Sequence, residues 1–484
     1  MSDSSRDMPT TQSLRWPYLG VAGGVVLLAA ALRFPIVGQS LWYDEIYTLL
    51  NYILQPWEQI VAGQYSPNNH VLFNLLAKLV TPEYTDPAVL RADIGQVAVL
   101  IRLVSLLAGV VLPVALAWPL RKDRPYQAIL IAVIAAVHPW SICLSGWARG
   151  YSLLLLLGGL ATNWLPQRTT SVYWRYALAL TAALYTQPIA VVLVPGHAMT
   201  MLFLRRPMLS TWLRSAGLAG VLTFFLYLPF LGGAGQYWSG SRGASIGYLQ
   251  FVGVSLRHAQ AGDNVGGAAA IAVALLVIIP GGLVAWRTPA ARPMLMSFAA
   301  TAVLGLLVPL VLPSAGEVRA MLWLIPLYCM GAAAILAAPM RMPWIGWGAT
   351  AMLLIVLGIL TSRILRIPAQ PIRDAIVEAR RLAGPGGRVI GVYMAAAEAR
   401  AVYGNLDAIA YRATPLPSPD PASLPSLQEA ESPSAKGAIA VVFYESFIQR
   451  DAPDLWGQLQ ERYELVVRLP GRVSPTAIYQ RVSP

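Results

Sequence analysis

Charge is what this sequence has least of. Only 12% of its 484 residues are Asp, Glu, Lys or Arg, against 56% that are hydrophobic. A water-soluble globule needs about twice that charged share to cover its surface, so a soluble fold is excluded for most of the chain. Acids are scarcer still, because residues 1–366 hold 11 Asp+Glu beside 23 Lys+Arg, whereas residues 367–484 hold 12 of each. The excess of basic residues therefore belongs to the apolar part. Cysteine is nearly absent, and Cys143 and Cys329 both lie in apolar stretches, so neither a disulfide framework nor a thiolate metal site is suggested. The 4 histidines are scattered and show no metal-ligand spacing such as HExxH. No basic run is interleaved with stacking aromatics, which argues against nucleic acid as a partner.

What is there is a series of apolar runs. A membrane-spanning helix needs about 20 apolar residues, and loops on the cytoplasmic side carry the Lys and Arg. Candidate spans fall at 18–37, 97–119, 126–145, 150–165, 173–187, 188–204, 213–231, 266–286, 294–312, 319–338 and 344–363, about 11 in all. The first run could serve as a cleaved signal peptide, with Ala29-Ala30-Ala31 as its small-residue segment. The many runs that follow favour an uncleaved first span. Basic clusters sit in the amino-terminal tail (Arg6, Arg15), then at Arg121/Lys122/Arg124, Arg168/Arg175, Arg205/Arg206/Arg214, Arg287/Arg292 and Arg341. Placing all of them in the cytoplasm closes the alternation if Val71–Val80, too short to cross, lies along the outer surface or dips in and returns. Residues 1–17 then form a cytoplasmic tail, and the loops 38–96 and 233–265 and the carboxy-terminal segment lie outside.

From about Arg366 the character changes. A polar helical pattern runs over Ile372–Leu382, followed by the turn Gly384-Pro385-Gly386-Gly387. Strand-like runs follow at Arg388–Tyr393, Ala438–Tyr444, Leu465–Leu469 and Thr476–Val482, alternating with helical segments. These predict a small α/β domain over 367–484. Thr414–Ser434, rich in Pro and Ser, reads as a loop or disordered insert. Gly384-x-Gly386 lacks the rest of a dinucleotide fingerprint and reads as a turn.

The residues with chemical potential gather in the outer loops. Asp44 and Glu45 stand side by side in Leu41-Trp42-Tyr43-Asp44-Glu45-Ile46-Tyr47-Thr48, just beyond the first span. A solvated acidic pair within an aromatic belt is one reading. The other is a base, because a carboxylate held against aromatic surface has its charged form disfavoured. Further along, Pro67-Asn68-Asn69-His70 either starts a helix, with Asn69 as its cap, or offers neutral donors to a sugar or phosphate. Ser145-Gly146-Trp147-Ala148-Arg149-Gly150-Tyr151 carries an arginine with no acid nearby in sequence. Arg149 either snorkels to headgroups or presents its planar fork to a phosphate. Arg319, in Glu317-Val318-Arg319, supplies a second such group, or forms a weak local pair with Glu317. Arg102 is expected to be a structural arginine reaching the outer interface.

Taken in order, Ser40-Leu41-Trp42-Tyr43-Asp44-Glu45, Asn68-Asn69-His70-Val71-Leu72-Phe73, Arg102-Leu103-Val104-Ser105 and Ala148-Arg149-Gly150-Tyr151-Ser152-Leu153 resemble the GT-C membrane glycosyltransferases. The resembling branch is the protein O-mannosyltransferase and aminoarabinose-transferase-like group, glycosyltransferase family 39-like. Tyr185-Thr186-Gln187 and Arg319 to Pro326 fall where that group has recurrent motifs. The resemblance covers roughly residues 18–340. It implies Asp44 at the acceptor hydroxyl with Glu45 beside it, Tyr43, Asn69, His70 and Tyr151 lining the substrate, and Arg149 and Arg319 facing a lipid-linked phosphate. Two departures stand out: Trp147 occupies a position that is acidic in many relatives, and Gln187 one that is histidine. The missing second carboxylate weakens any divalent-metal site, so transfer without a metal or other cofactor is expected.

The expected fold is thus an all-α polytopic membrane bundle, with residues 18–366 as the transferase part and a small extracytoplasmic α/β domain. The expected activity is transfer of a sugar from a polyprenyl-phosphate donor to a hydroxyl of a protein, lipid or glycan acceptor, with inversion, at the outer face of the cell membrane. Rival readings are a transporter or flippase of lipid-linked saccharides, and a noncatalytic envelope assembly protein. The first predicts an internal repeat or midplane ionisable residues, and the sequence shows mainly boundary arginines.

Overall fold

The structure is a computed structural model that describes residues 15–63, 68–84, 86–166, 173–230, 248–262, 267–311, 321–338, 343–410 and 438–482. Long apolar stretches become helices because a backbone without water must bond to itself. Helix α1 spans Arg15–Val37, α2 Tyr43–Thr48, α3 Trp57–Ala62, α4 Val71–Val80, α5 Pro87–Ala117, α6 Pro125–Val137, α7 Pro139–Ser145 and α8 Tyr151–Asn163. Further helices follow at Tyr173–Thr186, Leu193–Leu204, Leu209–Tyr227, Tyr248–Ala261, Ala268–Trp286, Arg292–Val311, Leu324–Ala337 and Pro343–Arg366. Among the described residues, each expected span contains helix, not always as one unbroken α-helix.

Fewer than 11 of these meet the length of a bilayer. Six among the described residues are long and apolar enough to cross, namely Gly20–Val37, Pro87–Leu120, Arg206–Phe230, Ala268–Trp286, Arg292–Leu310 and Gly346–Arg366. The expected span 126–145 is broken into α6 and α7, which meet at 57° and make a seventh only if counted as one. The cause is Pro139, whose ring pushes the preceding residue out of the helical region, and His138 sits at φ −65°, ψ 122°. Arg33, buried in α1, closes the break. Its Nη1 donates to Ala136 O at 2.8 Å and its Nη2 to Ser141 Oγ at 2.9 Å and Ala135 O at 3.4 Å. The last carbonyls of α6 thereby find the partners that a helix end lacks. A single arginine inside the first span is a feature the charge pattern did not single out.

Helix α5 also begins ten residues before its apolar run. Asp86 caps it by accepting from Ala88 N at 2.7 Å, and Pro87 occupies the first turn, where its missing N–H costs nothing. The segment between α1 and α5 is therefore shorter than expected, and its described residues are largely helical. Within it α4 packs against α5 and Tyr173–Thr186, and Lys78 is buried with its Nζ 3.3 Å from Ile53 O.

The carboxy-terminal segment is a five-stranded sheet in the order β2-β1-β3-β5-β4, with β1 Val389–Val392, β2 Ala408–Ala410, β3 Ile439–Val442, β4 Tyr463–Leu469 and β5 Thr476–Arg481. Strand β1 pairs in parallel with β2 and β3, and β5 pairs antiparallel with β3 and β4. The short edge strand β2 was not apparent from the sequence, and Thr414–Ser434 lies outside the described residues. The turn after helix Ile372–Ala383 uses Gly384 and Gly386 at φ +65° and +76°, a region open to glycine. Side chains alternate along β3. Ile439 and Val441 join a core with Leu41, Ile46 and Ile101 of the α1–α5 segment and α5, while Ala440 and Val442 face a second core with Leu455 and Leu459. One apolar core is thus shared between the sheet segment and the loop that carries Asp44.

Candidate active site

The site is built around α2, and α2 is fixed by its buried carboxylate. Glu45 is fully buried. Its Oε1 accepts from Arg102 Nε at 2.8 Å and Ala148 N at 2.6 Å; its Oε2 accepts from Arg102 Nη2 at 2.6 Å and Trp42 N at 3.2 Å. The bond to Trp42 N is the reach-back from the third helical position to the cap that often starts a helix. Four accepted bonds fill the capacity of a carboxylate. The structure thus places Glu45, expected beside Asp44 at the acceptor hydroxyl, in the core, with its bonds tying α2 to α5 and to residue 148.

Arg102 spends its remaining donors on backbone. Nη1 donates to Val37 O at 2.7 Å and Gln39 O at 2.8 Å, and Nη2 to Ser40 O at 3.2 Å. These carbonyls include the end of α1, where cations are favoured. One guanidinium thus ties α1, α2 and α5 together.

Position along α2 separates the two acids. Glu45 points into the core, whereas Asp44 is half-buried on a different face. Residues four apart share a helix face, so Asp44 and Thr48 lie one above the other. Arg149 Nη1 donates to Thr48 Oγ1 at 2.8 Å and Asn68 O at 3.3 Å, and Nη2 to Asn68 Oδ1 at 2.9 Å. The structure therefore sets a guanidinium about one helical turn from Asp44. Arg149 is 1% exposed, so it does not snorkel to headgroups. Its own carbonyl accepts from Ser105 Oγ at 2.6 Å, which anchors it to α5.

His70 and Tyr151 complete this cluster. Gly150 N donates to His70 Nδ1 at 2.9 Å, so the neutral ring carries its proton on Nε2. The His70 ring meets Tyr151 edge-on at 4.8 Å, and the Arg149 guanidinium carbon lies 5.8 Å from the Tyr151 ring. Gly150 is required here, because a Cβ on it would stand 2.7 Å from Thr186 Cγ2 and 2.8 Å from His70 Nδ1. Segments near 44, 70, 149 and 186 thus converge. Asn69 is not the helix cap that the sequence offered. The helix cap is His70, and the Asn69 amide donates to Ile60 O at 3.0 Å and accepts from Asn74 Nδ2 at 2.8 Å. Arg319 and Glu317 lie outside the described residues. Among the described residues, no three His, Cys, Asp or Glu side chains are grouped to hold a metal ion.

The sheet segment borders the same helix. Tyr403 OH accepts from Leu41 N at 2.8 Å, Ser40 Oγ from Arg373 N at 3.0 Å, and Gln370 Oε1 from Tyr43 N at 3.3 Å. Burial pushes the Tyr403 phenol up to about 12, so it stays protonated at this junction. The Tyr43 ring meets Tyr444 edge-on at 6.0 Å. The Tyr47 ring lies 6.2 Å from that of Tyr43, and burial, the Tyr52 neighbour and the charge of Glu398 hold the Tyr47 phenol above its ordinary range, while Arg149 pulls it down. Thr48, Gln370 and Tyr403 are the residues that sequence reasoning did not select, and Asn68 stood in a selected motif without a role of its own. Only Thr48 left a usable signal, its spacing of four from Asp44.

No family model matches the sequence, and no curated protein matches it. Solved structures do match in fold. ArnT from Cupriavidus metallidurans in the apo state superposes with a TM-score of 0.55 over 98% of this chain and 99% of that one, at 12% identity. The same protein bound to undecaprenyl phosphate gives 0.52 over 98% and 99%, at 13% identity.

Proposed function

We propose that this chain, a helical membrane bundle of the GT-C type, transfers a sugar from a polyprenyl-phosphate donor to an acceptor hydroxyl. The observation that carries the proposal is the placement of Asp44 on the same face of α2 as Thr48, which receives the Arg149 guanidinium at 2.8 Å. A base and a phosphate-binding fork then stand about one helical turn apart. Asp44 takes the proton of the acceptor hydroxyl as its oxygen bonds to the anomeric carbon. The bond from that carbon to the phosphate oxygen breaks, and its electrons leave with the lipid phosphate. Arg149, with Arg319, balances the charge that develops there.

Proton removal by a placed base contributes ~10²–10⁴ in rate, and a fixed donor at the developing charge about 10²–10³. Attack and departure on opposite sides of the ring give inversion. The ArnT structure with the same fold was solved with undecaprenyl phosphate, and a lipid phosphate of that class is the donor assigned here. The site lies on the membrane face that carries the α1–α5 loop, assigned as the extracytoplasmic one, and no metal takes part. Detergent-purified protein given a polyprenyl-phosphate sugar labelled in the sugar should release polyprenyl phosphate and move the label to envelope acceptors with inverted configuration. An intact donor after exhaustive incubation would contradict the proposal.

A further inference from the structure

A second site lies at the other end of the bundle. Along α5, Ala117 is 15 residues beyond Arg102, which places the far end about 22 Å from the Glu45–Arg102 pair at 1.5 Å per residue. There, between α6 and the helices Ala268–Trp286 and Leu324–Ala337, opens a cavity of about 520 Å³ whose wall includes Asp123, Arg124, Tyr126, Gln127, Arg287 and Thr288. Two guanidiniums and one carboxylate give the wall a formal charge of +1.

The surroundings state the depth. Trp118 and Trp286 flank the cavity's loops and are 44% and 39% exposed, as interfacial aromatics are. Arg121 stacks 3.8 Å from the Trp118 ring, and Arg292 lies 6.0 Å from that of Trp286. An exposed stripe of Leu276, Ile279 and Leu283, at helical spacing, runs along Ala268–Trp286 to Val284 and Arg287 at the cavity. An apolar lane that ends at two phosphate-matching forks fits a lipid with a phosphodiester headgroup.

We infer that this cavity binds one anionic phospholipid, its phosphodiester between Arg124 and Arg287 and an acyl chain along Leu276, Ile279 and Leu283. Net charge selects it over a zwitterionic lipid, and a free phosphate has no use for the apolar lane. Asp123 is placed to accept from a headgroup hydroxyl.

Native mass spectrometry of the full-length protein in neutral detergent tests this with phosphatidylglycerol and phosphatidylcholine as probes. One phosphatidylglycerol should be retained in preference, and the R124Q/R287Q pair should weaken it at least tenfold while an R206Q/R214Q pair leaves it unchanged. Thermal unfolding in detergent confirms that both variants fold. Equal retention of the two lipids, or equal loss in both arginine pairs, overturns the assignment. Displacement of the lipid by millimolar inorganic phosphate would make the cavity a free-anion site and overturn it as well.

Discussion

Glu45 and Arg102 form a two-pronged ion pair closed off from solvent, with Arg102 Nε 2.8 Å from Oε1 and Nη2 2.6 Å from Oε2. The pair stands at the junction of α1, α2 and α5. Removing one partner of such a pair leaves an uncompensated buried charge and costs about 3–5 kcal/mol. Glu45→Gln should therefore lower resistance to thermal unfolding in detergent, with activity lost in step with fold. A variant as stable as the parent but inactive would return Glu45 to the chemistry.

Arg149 is held by a fork, not by charge alone. Arg149→Lys keeps the charge and loses the two-directional contacts to Thr48 and Asn68, so transfer should fall by about 10²–10³, the size of one lost donor at a developing charge. Chelator should leave the parent enzyme unchanged. Loss of transfer in chelator, restored by manganese or magnesium, would show a metal at the phosphate and make Glu317 the first carboxylate to test. Unchanged transfer in Arg149→Lys would misplace the phosphate.

Gly150 lets the chain pass close to His70. Gly150→Ala forces a Cβ to within 2.8 Å of His70 Nδ1 and 2.7 Å of Thr186. Overpacking of this kind costs about 1–3 kcal/mol, and it should break the Gly150 N to Nδ1 bond. Lower thermal stability together with weakened transfer is the expected result. A fully stable and active variant would show that the 70 and 150 segments can separate freely.

The basic loops predict an orientation that labelling tests. Cys143 and Cys329 are buried, so cysteines introduced singly at Lys122 and at the exposed Val377 are the reactive ones. A membrane-impermeant maleimide on intact spheroplasts should label V377C, and K122C only after permeabilisation. The reverse pattern would invert the topology.

How much of this was legible follows from the range of each interaction. The helices were visible because apolar length is a local property, and α4 kept the bounds Val71–Val80 of its apolar run. The break at His138 was written in Pro139, yet a continuous apolar run masked it. The start of α5 at Pro87 was hidden because its first turns are polar and lie outside the apolar window. At the site, Asp44, His70, Arg149 and Tyr151 stood out as unusual residues at the ends of apolar runs. The distinct fates of Asp44 and Glu45 did not, since they depend on Arg102 lying 57 residues away in sequence. Contacts of Tyr403 and Gln370 with residues 41 and 43 span more than 320 positions, and nothing in the local pattern marks them.

Asp44→Asn tests the central claim most directly, because it keeps the shape of the side chain and removes only the basic carboxylate. Release of polyprenyl phosphate from a labelled donor should fall by at least about 10²-fold, the lower range for loss of a general base, with thermal unfolding unchanged. Transfer within about tenfold of the parent, below that range, would make Asp44 a belt residue and contradict the account.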